Sequence, residues 1–170
     1  MGFDLYGMNP QNNTKKPKIL CNAFWDLEES KHEDYYTAQD EYEHQNPGNY
    51  FRLNNWGWRP VWTFVYSACD DILTEKDYNS GHFNDGHSIS KTKANRIAKR
   101  LQKLDKLGIL EAYECEVEGY IKQAKQENKK LEVSEKYGDK FNWASEYPFY
   151  RDHVVKFSNF CEQSGGFTIC

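Results

Sequence analysis

The chain has 170 residues, 38% of them apolar and 28% charged, with a net charge of −4, and its 27 aromatics outnumber its 23 Ile, Leu and Val residues. Aromatics in that number supply enough apolar surface to close one modest core, which excludes wholesale disorder. Five cysteines (Cys21, Cys69, Cys115, Cys161, Cys170) with no C-x-x-C pair exclude a disulfide framework or zinc ribbon, and without an 18-residue apolar run or a basic, apolar start, neither a membrane span nor a secretory signal is expected.

Phe3 and Leu5 alternate with Asp4 and Tyr6, which predicts a first strand closed by Gly7 and Asn9-Pro10. Ile19 to Trp25, rich in β-branched and aromatic residues, reads as a second strand pairing with the first. Residues 26–46 carry eight acids against one base, Lys31, and read as an acidic insertion outside the core that ends at the Asn46-Pro47-Gly48 turn. A helix is expected to start at Pro60 and to run to about Leu73, burying Trp62, Val65, Tyr66, Cys69, Ile72 and Leu73 at helical spacing. The turn formers between Asp77 and Ser88 predict a loop, after which Ser88 or Ser90 caps a long helix ended by Gly108. That helix is expected to set Ala94, Ile97, Ala98, Leu101 and Leu104 on one face, and it carries seven Lys or Arg residues between Lys91 and Lys106. A further helix through Tyr113 to Ala124, a break at Tyr147-Pro148, a last helix through Val154 to Cys161 and a strand at Phe167–Ile169 complete the reading. The expected fold is α+β: a single domain with a small antiparallel sheet and three to four helices.

The densest functional signal is Tyr50-Phe51-Arg52-Leu53-Asn54-Asn55-Trp56-Gly57-Trp58-Arg59. Arginines, amides and flat aromatic faces just before a helix start suit a nucleotide: Arg59 and the helix N-terminus for a phosphate, Tyr50, Trp56 or Trp58 for stacking, Arg52, Asn54 and Asn55 for polar edges. The competing role of the tryptophans is core packing. Asp4 and Tyr6, on one side of the first strand, are secondary candidates. His82, Asn84, Asp85 and His87 offer acid-base or ligand chemistry, but their spacing matches no metal pattern and a turn role for Asn84 and Asp85 is favoured, so no metal or cofactor is expected. The basic helix face is expected to be neutralised within the chain by the acidic segment rather than to hold nucleic acid. No P-loop, G-x-G-x-x-G, G-x-S-x-G or H-E-x-x-H motif is present, and no catalytic residue is assigned.

Three stretches carry a family resemblance: Gly2-Phe3-Asp4-Leu5-Tyr6-Gly7 with Asn9-Pro10, Tyr50-Phe51-Arg52 with Trp56-Gly57-Trp58-Arg59-Pro60, and Tyr147-Pro148-Phe149 leading to Ser164-Gly165-Gly166-Phe167-Thr168-Ile169-Cys170. In these the chain resembles a family of small uncharacterised bacteriophage and prophage proteins, over about half its length. Relatives commonly carry C-x-x-C pairs before the Tyr-Pro-Phe stretch; residues 120–146 here hold no cysteine, so zinc is not carried over. The resemblance implies a phage origin and a host-cytoplasmic setting, and no mechanism. The reading it supports is a non-catalytic protein, free to form a homo-oligomer, that sequesters a nucleotide-derived signal of host antiviral defence, such as a cyclic nucleotide or an ADP-ribose derivative. The alternatives are a nucleotide-processing enzyme and a virion or assembly factor.

Overall fold

The computed structural model describes residues 2–131 and 137–170. The alternation in the first strand, β1 (Gly2–Gly7), buries Phe3 and Leu5 and leaves Tyr6 half exposed. β1 is central: it pairs antiparallel with β2 (Tyr50–Asn54), placing Asp4 opposite Arg52 and Tyr6 opposite Tyr50, and on its other side with β4 (Gly166–Ile169). β4 also pairs with β3 (His87–Ser90), giving the antiparallel order β2-β1-β4-β3. Both edges of β1 are therefore occupied. No ladder position remains for residues 19–25, and the expected second strand is instead two short 3-10 turns, Lys18–Cys21 and Phe24–Asp26.

The described residues form six α-helices, more than the three to four expected: α1 (His32–Gln45), α2 (Asn55–Ala68), α3 (Glu75–Ser80), α4 (Lys91–Lys106), α5 (Ile109–Asn128) and α6 (Arg151–Gln163). The two unexpected ones are α1, which buries no residue and lies outside the core, and α3, inside the expected loop. α3 forms because Thr74 and Asp77 make a reciprocal capping box, two side chains satisfying two otherwise orphaned backbone N–H groups. The chain returns from α1 at Asn46, which is fully buried; its amide donates to Thr14 Oγ1 at 2.7 Å and accepts from the backbone N–H of Asn13 at 2.7 Å.

α2 starts five residues before Pro60, which lies inside it. The Asn54 side chain accepts from the Gly57 N–H at 2.8 Å and sets that start. α2 buries Trp58, Val61, Trp62 and Val65 on one stripe, and Cys69, Ile72 and Leu73 continue the core beyond its end. α4 is capped by Ser90, ends at Gly108 in the left-handed conformation, and buries Ala94, Ile97, Ala98 and Leu101 against α6. The core between the helices and one face of the sheet is built from rings. Phe157 of α6 sits within 5.5–6.5 Å of Phe51, Trp58, Trp62, Phe160 and Phe167, measured between centroids. Edge and tilted contacts of this kind add to the area buried by each ring.

Candidate functional site

The sequence candidates separate into two places and a remainder. The first place is the sheet face away from the helices. There the Tyr50 hydroxyl donates to the Asp4 carboxylate, Arg52 Nε lies 3.5 Å from the same carboxylate, and the Tyr6 and Tyr50 rings stand 5.3 Å apart. Burial, followed by the Asp4 bond and charge, raises the Tyr50 phenol well above its ordinary value, so it stays a donor throughout the physiological range. Asp4 thus holds Tyr50 and Arg52, and Tyr6 adds a ring contact to Tyr50.

The second place is a cleft of about 540 Å3. α2 contributes Arg59 and Thr63, the segment after α3 contributes His82 and Phe83, α5 contributes Tyr113 and Val117, and the stretch before α6 contributes Tyr147 and Phe149. Phe83 is 62% exposed, a flat apolar face offered to the cleft mouth. Burial first, and the positive charge of Arg59 second, hold the His82 imidazole below its ordinary value, so it is neutral at pH 7. Of the five arginines, Arg52 pairs with Asp4, Arg96 and Arg100 with Asp71 at 3.0–3.2 Å, and Arg151 with Asp105 at 2.6 Å. Among the described residues the Arg59 side chain has no carboxylate partner and makes no hydrogen bond. Its guanidinium is left in the cleft with five donors to offer.

The remaining candidates hold the fold. Trp58, expected as a stacking surface, is fully buried, stacks on Trp62 at 5.2 Å and donates its indole N–H to the Gly81 carbonyl at 2.8 Å. Its position on the inward stripe of α2 removes it from any ligand. Asn54 is the cap of α2, and Asn55 is half-buried at its first residue. The Asn54 cap takes the Gly57 N–H, and Arg59 lies a turn further on in a separate cleft, so the expected pairing of Arg59 with the helix terminus does not form. Trp56, 42% exposed, packs its ring 5.0 Å from Tyr147 and backs the cleft wall. Asn84 donates to the Gly2 carbonyl at 2.9 Å and Asp85 accepts from the His87 N–H at 3.2 Å, the turn roles favoured above.

Among the described residues three of the seven cations of α4 are paired with carboxylates, and none of these carboxylates lies in the acidic segment. Asp71 takes Arg96 and Arg100, and Asp77 takes Lys93. The Asp77 carboxylate also meets His87 Nε2 at 3.0 Å and accepts from the Thr74 N–H and hydroxyl; burial alone would raise its carboxyl, and the bonds from Lys93, Thr74 and His87 together hold it far below the carboxylate range. Among the described residues no group of three or more His, Cys, Asp or Glu side chains is placed to hold a metal ion, and no helix is long and apolar enough to cross a membrane.

The sequence reading omitted Phe83, Tyr113, Val117, Tyr147 and Phe149 as site residues. Tyr113 and Val117 sit at i, i+4 spacing, the same signal that marks a core stripe, and only the gap left between α2 and α5 makes them cleft lining. The chain matches no family model, no curated protein and no solved structure.

Proposed function

We propose that this protein is a non-catalytic receptor that captures a small nucleotide-type ligand in the cleft between α2 and α5. Arg59, without a carboxylate partner among the described residues, beside the exposed ring of Phe83 and the rings of Tyr113 and Tyr147, is the observation that carries the reading. A guanidinium fork matches a phosphate in two parallel bonds, and an aromatic face accepts any base. The volume lies within the roughly 300–1,000 Å3 usual for small-ligand sites. On the phage-type resemblance, the ligand is a nucleotide-derived signal of host antiviral defence, which the protein sequesters in the host cytoplasm.

The test is a thermal-shift screen of nucleotides against the parent and Arg59→Ala chains, with mass spectrometry of small molecules retained on purification. A ligand that raises the parent's melting temperature, fails to raise that of Arg59→Ala, and is released unchanged on heating supports the reading. Release of a converted product would instead assign His82, neutral and so able to accept a proton, to acid-base chemistry. No shift with any nucleotide and no retained molecule overturns the reading.

A further inference from the structure

A second cavity of about 440 Å3 adjoins the cleft and shares two of its walls, Val117 and Tyr147. Both chambers lie along one stripe of α5. Tyr113 and Val117 line the first, and Val117, Ile121 and Ala124 line the second. At about 1.5 Å rise per residue, Tyr113 to Ala124 spans about 16 Å. The ring of Tyr147, braced by Trp56 from behind, stands where the chambers meet.

The two chambers differ in chemistry. The first holds Arg59 and His82, whereas the second is lined by no charged side chain. Its polar groups are neutral: Gln123 Nε2 and Asn142 Nδ2 each donate one N–H to Glu127, at 3.0 and 2.7 Å, and the Tyr120 hydroxyl donates to Glu116 at 3.0 Å. The second N–H of each amide and the acceptor Gln123 Oε1 remain available. A single nucleotide would fill the first chamber and leave the second to water.

We infer that the ligand has two ring units: an anionic one held at Arg59, and a neutral polar one, with both donors and acceptors, that crosses Tyr147 into the Gln123–Ala144 chamber. Two nucleosides joined through one phosphate have this form, with the bridging phosphate and one nucleoside in the Arg59 chamber and the second, uncharged nucleoside beyond Tyr147. The inference rests on the nucleotide reading of the cleft and narrows it to a two-unit ligand.

Isothermal titration of the full chain with the ribonucleoside monophosphates, and with dinucleoside monophosphates covering every base, tests it. The best dinucleoside monophosphate should bind at least tenfold tighter than the best mononucleotide. Ala144→Trp, at an exposed position lining the second chamber, should abolish that advantage and leave mononucleotide affinity within twofold. Gln123→Leu, also exposed, should reduce the advantage severalfold and serves if the tryptophan variant does not fold. Equal affinity for both probe classes, or an advantage that survives both substitutions, overturns the two-unit ligand and leaves the receptor reading standing. If neither class binds at millimolar concentration, the two-unit ligand falls, and the nucleotide screen and retained-molecule analysis above decide the receptor reading.

Discussion

Trp58 and Arg59 are neighbours in sequence, and a rotation of about 100° around α2 separates what they do. Trp58 fills the core and ties α2 to Gly81, where an added Cβ would lie 2.1 Å from Trp62 Nε1. Trp58→Ala should therefore destabilise the protein by about 3–5 kcal/mol in urea titration, through the cavity and the orphaned Gly81 carbonyl. Arg59→Ala removes an exposed side chain with no partner among the described residues and should leave the urea midpoint unchanged. Its effect belongs to binding: loss of a charge-assisted bond, about 1.5–3 kcal/mol, weakens a phosphate ligand about 10- to 100-fold. His82 adds a proton to the same equilibrium. It is neutral in the free protein because burial and Arg59 disfavour its cation, and a bound phosphate would favour that cation. Binding should then take up protons near neutral pH and tighten as pH falls from 8 to 6. Calorimetry in buffers of different ionisation enthalpy measures that uptake, and His82→Gln should remove it.

Among the elements, those written by a single period were legible. β1, α4, α6 and β4 follow from alternation or an i, i+3, i+4 stripe closed by Gly7, Gly108 or Gly165, and the structure has them. The elements set by long-range pairing were not. Residues 19–25 have strand-forming composition, yet β2 and β4 already occupy both edges of β1. β2 is hidden in the aromatic stretch before α2, and only the Asp4–Arg52 and Tyr6–Tyr50 register reveals it. α3 and β3 depend on Asp77, whose role is invisible without the fold that brings Thr74, His87 and Lys93 around it. Asp77→Ala should expose that dependence. It strands Lys93, removes the reciprocal half of the α3 capping box and releases His87 of β3, at a cost of about 3–5 kcal/mol. Equilibrium unfolding should show the loss with the far-UV spectrum retained, and hydrogen exchange should show β3 and the start of α4 opening first. The same limit explains the site: Arg59 and His82 were legible as residue types, whereas their meeting with Tyr113 and Tyr147 required the packing of α5 against the segment before α6.

At the scale of the whole molecule, the displaced ionisations bound the pH range in which this fold is stable, and they do so from both sides. His82 and His153 lie below the ordinary 6.5, each chiefly through burial of the imidazole. The unfolded chain therefore binds more protons than the native one as pH drops through about 6.5, and stability falls with it. Asp77 extends the loss: the stability from its bonds is complete above the unfolded carboxylate value of 3.8 and is lost progressively below it. On the alkaline side the signs reverse. Burial raises the Cys69 thiol to about 11, and it raises Cys161 and the Tyr50 phenol as well. These groups keep their protons in the native state after the unfolded chain has lost them, so stability declines as pH rises past the ordinary 9.0 for cysteine and 10.0 for tyrosine. Urea midpoints measured from pH 4 to pH 11 should thus form a plateau from about 7 to 9 with a shoulder on each side. Cys161→Ala removes the fully buried thiol and should soften the alkaline shoulder, leaving the acid one in place; His153→Gln should do the reverse. A midpoint that stays level from pH 7 down to 5 would show that the two histidines are not held neutral by the fold, and the proton uptake argued for His82 would fall with it.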